Sequence, residues 1–227
     1  MIIFENVTKT YLGNIIALED VSFDIKKGEF ISIVGQSGAG KSTLLKLLFA
    51  EEKPTRGNVY INKVKINKLK NSDLPKLRHH IGVIFQDFKL LDKKTVFENV
   101  SFAMEVSGKP DKEIQTNVSQ VLEIVGLTEK INNYPPELSG GEKQRTSIAR
   151  ALVHRPEIII ADEPTGNLDI VNSWEIIRLL TKINQYGTTV ILATHSREIV
   201  NSLNRRVITL DDGRIVRDQK NKGRYLI

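Results

Sequence analysis

Eight residues, Gly35-Gln36-Ser37-Gly38-Ala39-Gly40-Lys41-Ser42, constrain this 227-residue chain more than any other feature. The pattern GxxxxGK[ST] is informative where a strand runs into a helix, and the flanks supply that context: "FISIVG" reads as a buried strand, "KSTLLKLLFAEE" as a helix. Glycines let backbone N–H groups converge on phosphate oxygens, and the start of the helix adds a favourable dipole. Lys41 then reaches the outer phosphates, and the Ser42 hydroxyl is suited to Mg²⁺. Gly35, Ser37, Gly38, Ala39, Gly40, Lys41, Ser42 and Thr43 are the candidate nucleotide contacts. The alternative is a turn that merely joins strand to helix.

The rest of the pattern agrees with an α/β fold. "HIGVIFQ", "EIIIADE" and "TTVILATH" are continuous apolar runs of the kind a parallel sheet buries on both faces. The earlier runs "IIFENVTKTY" and "ALEDVSFDI" read instead as an antiparallel start. Between Phe88 and Pro156 the strand signals fade. There "DKEIQTNVSQVLEIVG" places Ile114, Val118, Val121, Leu122 and Val125 on one helical stripe. The expectation is one domain over 1–227, with a catalytic core at 1–88 and 157–227 and an inserted helical lobe at 89–156. The polar tail after Arg217 is expected to fray.

Composition narrows the function classes. With no cysteine, disulfide staples and thiolate metal sites are excluded, and a cytoplasmic location is the default. The apolar runs stop far short of the roughly 18 to 20 residues of a membrane span, so any work at a membrane needs another chain to cross it. Net charge is +6, with basic clusters in "KVKINKLKNSDLPKLRHH" and "GRIVRDQKNKGR". These could serve nucleic acid or anionic lipid, but no aromatic residues interleave as a base-stacking platform requires. They read as solvated faces, and no nucleic-acid partner is expected.

Polar residues at the ends of the apolar strands carry the chemistry. After Ile158 to Ala161 come Asp162 and Glu163, at the strand end where α/β sheets place ligands. Asp162 suits Mg²⁺, and Glu163 is a candidate general base for an attacking water; a helix cap or ion pair is the plainer alternative for either acid. Gln86 follows "IGVIF" and could offer its amide oxygen to Mg²⁺ or the metal's water. His195 follows "TVILAT" and could hydrogen-bond the γ-phosphate. Either could equally be an ordinary surface residue. Finally, "LSGGEKQ" puts Ser139, Gly140 and Gly141 ahead of the helix pattern "EKQRTSIARALVHR", so Ser139 reads as an N-cap with glycine amides facing outward. One γ-phosphate is not easily reached by both this end and the Lys41 loop within a single copy. A head-to-tail homodimer, closing around ATP, resolves that.

Taken together these motifs resemble the ATP-binding cassette (ABC) family across nearly the whole chain. The correspondence runs through Walker A at 35–42, the Q-loop Gln86, the signature at 138–142, Walker B ending at Asp162-Glu163, the D-loop "GNLD" and the switch His195. It implies a P-loop NTPase with a RecA-like parallel core, an N-terminal antiparallel β-subdomain and an inserted helical subdomain. It also implies an ATPase using ATP and Mg²⁺, with Tyr11 stacking on adenine, Asp169 crossing the dimer interface, and Ser42, Gln86 and Asp162 around the metal. "FQDFKLL", "TVFENVSF", "SWEIIRLL" and "RVITLDDGRIVRD" resemble the bacterial cell-division branch. That implies an integral membrane partner of the FtsX type, docked through the region from Phe85 to Met104, and a peripheral position on the inner face of the cell membrane. The lipoprotein-releasing and macrolide-export branches are the alternative. Ile170, Gln36 and Ser196 depart from the family's usual proline, proline and aspartate, which leaves turnover and dimer closure open.

Overall fold

The computed structural model describes residues 1–225. The strands are β1 (Ile2–Tyr11), β2 (Ile15–Ile25), β3 (Phe30–Val34), β4 (Arg56–Ile61), β5 (Val64–Lys65), β6 (Ile81–Ile84), β7 (Ile158–Asp162), β8 (Thr189–Ala193), β9 (Arg206–Asp211) and β10 (Arg214–Gln219). The helices are α1 (Lys41–Leu48), α2 (Leu74–His79), α3 (Val96–Val106), α4 (Asp111–Ile124), α5 (Gly140–Leu152), α6 (Ile170–Gln185) and α7 (Arg197–Leu203). They form two compact units, one of Met1–Arg78 with Asn184–Ile227, the other of His79–Ile183.

The first unit holds an antiparallel sheet ordered β2-β1-β4-β5 and a run of strands ordered β10-β9-β3-β8. The hairpin between β1 and β2 turns through Leu12, Gly13 and Asn14, and both Gly13 and Asn14 take the left-handed conformation the reversal needs. Alternation along β1 puts Ile2 and Phe4 inside, with Phe4 stacked on Phe23 at 4.6 Å between ring centroids. In contrast, β3 is buried at every position. It pairs in parallel with both β8 and β9, which explains the unbroken apolar run of its sequence.

The second unit pairs β6 with β7 in parallel and adds the helices α3, α4 and α5. The stripe on α4 is seated as its periodicity requires: Ile114, Val118, Val121 and Leu122 are buried, and Val125 follows them inside. At about 1.5–3 kcal/mol for each fully buried aliphatic side chain, this stripe outweighs the weak intrinsic preference of β-branched residues against helix. Thr95 caps α3, accepting from the Glu98 amide while the Glu98 carboxylate accepts from the Thr95 amide.

The tail corrects the expectation of fraying after Arg217. Strand β10 continues to Gln219, and Tyr225, 4% exposed, packs with Val34, Val200 and Val207. Its amide donates to Asn201 Oδ1 at 2.9 Å, and the Gly223 amide donates to the Arg205 carbonyl at 2.9 Å. One buried aromatic ring secures a segment whose local composition is otherwise polar.

Candidate nucleotide site

In the first unit, the buried strand β3 ends at Val34 and releases the chain into the glycine-rich loop. Gly40, at φ 99°, closes that loop, and a methyl group there would run into the Ala17 carbonyl and Leu18. Only glycine fits such a backbone approach. Gly40 is also the N-cap of α1, with no side-chain cap and no acidic residue in the first turn. Among the described residues no side chain caps the first-turn amide donors that every helix leaves unsatisfied. Lys41 is 9% exposed, and its ammonium donates to the Gly35 carbonyl at 2.9 Å and the Gln36 carbonyl at 3.0 Å, which folds it back across the loop. Uncapped donors, a buried cation and an absence of acid fit the phosphates of a nucleotide.

Two further candidates lie in the same unit. The Tyr11 hydroxyl stands 3.5 Å from Thr43 Oγ1, and the Lys9 ammonium sits 4.9 Å from the Tyr11 ring centroid. His195 is exposed beyond β8. Because Ile33 is in register with Ala193, and the Thr194 amide donates to the Ile33 carbonyl at 3.2 Å, the loop and His195 leave adjacent parallel strands in the same direction.

The second unit gathers the remaining candidates. Ile84 is in register with Ala161, so Gln86 and Asp162 likewise leave adjacent strand ends. Glu163 is half-buried with φ 46°, a conformation rare outside glycine and asparagine. Such strain persists where the surroundings over-determine it, and it turns the chain sharply at the strand end. The Gln86 side chain is held by Asn167, whose amide donates to the Gln86 carbonyl at 3.0 Å and whose oxygen accepts from Gln86 Nε2 at 3.5 Å.

Ser139 is the N-cap of α5, and its hydroxyl accepts from the Glu142 amide at 3.3 Å. Glu142 closes the box, accepting from the Ser139 amide at 2.8 Å and hydroxyl at 2.9 Å. Those bonds, led by the backbone one, hold the Glu142 carboxyl below the usual glutamate range. The glycines that follow have a packing reason too. A methyl at Gly141 would strike the Asn172 side chain, and one at Gly140 would press on Leu168 at 3.2 Å. Asn172 also donates from its backbone amide to Asp169 Oδ1 at 2.9 Å and from Nδ2 to Oδ2 at 2.5 Å. These bonds, with the backbone one largest, lower the Asp169 pKa. The second glycine pair thus lets the D-loop pack against the signature helix of the same chain.

Sequence reasoning missed the residues that hold these candidates in place. Arg150 on α5 donates to the carbonyls of Phe88 at 2.8 Å and Lys89 at 2.5 Å, both left-handed residues just past Gln86. Burial pushes the Arg150 pKa down. Asn99, fully buried, accepts from the Leu91 amide and donates to the carbonyls of Leu91, Lys94 and Thr95. A polar residue at helical spacing with Val96, Val100 and Met104 was the available signal for Asn99. For Arg150, Asn167 and Asn172 no local pattern marked the contact.

Fold and loop together define a phosphate-loop nucleotide-binding protein of mixed α/β architecture. The ABC transporter family model matches residues 18–166, and the chain belongs to that family, as an ATP-binding cassette ATPase. It is 51% identical over 99% of its length to the cell division ATP-binding protein FtsE of Bacillus subtilis, covering 98% of that protein. It is 52% identical to FtsE of Mycobacterium tuberculosis, across 97% of this chain and 96% of that one. Among solved structures, the dimeric post-hydrolysis state of the ATP-binding cassette MJ0796 bound to ADP and Pi superposes with a TM-score of 0.89 at 40% identity. That match covers 98% of this chain and all of that one. Among the described residues no helix is long and apolar enough to cross a membrane.

Proposed function

We propose that this chain is the ATP-hydrolysing subunit of a cell-division complex, held at the inner face of the membrane by an integral partner of the FtsX type. The observation that carries the reading is identity of 51% sustained over 99% of the chain with a cell division ATP-binding protein, joined to a complete phosphate loop. Bound ATP supplies the γ-phosphoryl group, with Mg²⁺ neutralising its charge. Lys41 and the amides of the Gly35–Thr43 loop hold the phosphates, and Tyr11 stacks on the base. Ser42, Gln86 and Asp162 supply oxygen to the metal, Glu163 accepts the proton of the attacking water, and His195 donates to the γ-phosphate. Ser139, Gly140 and Gly141 of one copy bind the γ-phosphate held by a second, with Asp169 crossing the same interface, so the active form is a homodimer.

The partner docks through the region from Phe85 to Met104. Leu91 and Phe102 are exposed there, and Val106 extends the apolar surface at the end of α3. Asn99 and Arg150 stiffen the backbone beneath it. Glu163→Gln tests the chemistry: turnover falls at least a hundredfold while ATP binding persists, and a nucleotide-bound dimer accumulates in sedimentation. Undiminished turnover would remove Glu163 from its role. A second reading, the cassette of a transporter proper, is favoured by 45% identity over 96% of this chain to a methionine import ATP-binding protein. Lipoprotein-releasing and macrolide-export systems belong to that reading. Co-purification with detergent-solubilised membrane proteins separates the two by the partner recovered.

A further inference from the structure

At the opposite end of β3 from the phosphate loop lies a cavity of about 720 Å³, which the ATPase reading does not use. It is an open concavity lined by the turn from Asp24 to Phe30, the residues Asn204 to Arg206 entering β9, and the segment Lys220 to Lys222 after β10. Five residues of strand at ~3.3 Å each set it roughly 16 Å from Gly35. Six cationic side chains line it against the two acids Asp24 and Glu29.

The six cations are not equivalent. Arg206 is 5% exposed and makes four hydrogen bonds: it donates twice to Asp218, at 2.8 and 2.7 Å, once to Glu29 at 3.0 Å, and once to the Asp24 carbonyl at 2.7 Å. Burial without partners would be prohibitive for a guanidinium, so Arg206 consumes Glu29 together with Asp218. Lys26, Lys27, Arg205, Lys220 and Lys222 remain, and among the described residues none of them is ion-paired. Five exposed like charges around one concavity repel one another, and only Asp24 is left to oppose them. A concave wall also focuses that positive potential, which a flat solvated face would disperse.

We propose that this cavity is a second anion site, distinct from the phosphate loop, for a small ligand carrying three or more clustered negative charges of the polyphosphate class. Its volume suits a small molecule. The concave, three-sided wall favours a free anion over the surface of a bilayer, although lipid headgroups share the chemistry. The ligand replaces the missing acids, ties the β2–β3 turn to the segment after β10, and stabilises the first unit by preferential binding to the folded state.

The test uses inorganic tripolyphosphate with the full chain carrying Lys41→Ala, which removes phosphate binding at the nucleotide loop. Calorimetric titration should detect binding that weakens at least tenfold when Lys27→Glu and Lys222→Glu are added, and that weakens steeply as salt rises. The neutral pair Lys27→Gln and Lys222→Gln should give an intermediate loss, guarding against misfolding by the charge reversals. Lys63→Glu with Lys65→Glu, in the other basic cluster, should change nothing. Absence of binding, or binding indifferent to residues 27 and 222, overturns the proposal. So does sedimentation with phosphatidylglycerol vesicles that depends on those residues while tripolyphosphate fails to compete, since the occupant is then the membrane.

Discussion

Asn99 stands in no phosphate-binding motif, yet its one amide group organises the whole turn from Leu91 to Thr95. It takes one backbone donor and satisfies three backbone acceptors while fully buried. Removing it strands those groups away from water, each at about 1–3 kcal/mol if unmet. Partial rearrangement toward solvent limits the sum, so Asn99→Ala should lower the unfolding free energy by about 2–4 kcal/mol in urea titration. The same variant should lose co-purification with the membrane partner more than it loses ATP affinity, because residues 91–95 belong to the proposed docking segment and not to the phosphate loop. The loop itself was legible in the sequence because its chemistry is contiguous: eight adjacent residues carry glycine conformation, lysine charge and hydroxyl ligand together. The residues that position Gln86 and Asp169 were not. Asn167 meets Gln86 across 81 positions of sequence, and Arg150 reaches Lys89 across 61. Such contacts exist only once the strands are in register.

At the scale of elements, periodicity told the truth where one face alone is buried or both are. The α4 stripe and the filled strand β3 follow from spacing and from the absence of polar interruption. His154, just past α5, shows what spacing cannot reveal. Its ring lies 4.4 Å from that of His79, and its Nε2 stands 3.0 Å from the Ala103 carbonyl and 3.4 Å from Ser107 Oγ. Lys109, Glu113 and Arg155 border the same cavity, of about 390 Å³. Burial is the leading cause that pushes the His154 pKa down; the Ala103 carbonyl and Glu113 partly oppose it, while His79 and Lys109 add to it. A histidine whose folded pKa is depressed binds fewer protons folded than unfolded below the ordinary value of about 6.5. Stability is therefore full above that pH and declines as pH falls through the window between the unfolded and folded values. Urea titrations from pH 7.5 to 5.5 should show that decline, and His154→Gln should flatten it. An unchanged slope in the variant would assign the decline to another group.

At the scale of the whole chain, residues near 34, 200, 207 and 225 converge on one small core, so the last described residue helps hold the strand that delivers the phosphate loop. Local composition hid this, because "RDQKNKGR" is polar throughout and the aromatic ring that anchors it comes afterwards. The Arg197 guanidinium lies 5.7 Å from the Tyr225 ring centroid and covers it from the α7 side. Gln219 closes the loop from the other side, accepting from the Arg224 amide at 2.8 Å and donating to its carbonyl at 3.0 Å. Truncating a buried aromatic leaves a cavity its neighbours only partly fill, at about 3–5 kcal/mol. Tyr225→Ala should therefore cost about that much in urea unfolding, while Arg217→Ala, on the exposed part of β10, should cost less than about 0.5 kcal/mol. Since Val34 packs on Tyr225 and directly precedes Gly35, the Tyr225 variant should also weaken ATP binding several-fold at temperatures where it remains folded. Unaltered stability in Tyr225→Ala would show that the tail only rests on the core. A loss of stability with undiminished ATP affinity would instead confine its role to holding β9 and α7, leaving the phosphate loop to keep its shape from its own contacts, Lys41 on the Gly35 and Gln36 carbonyls and Gly40 against the Ala17 backbone.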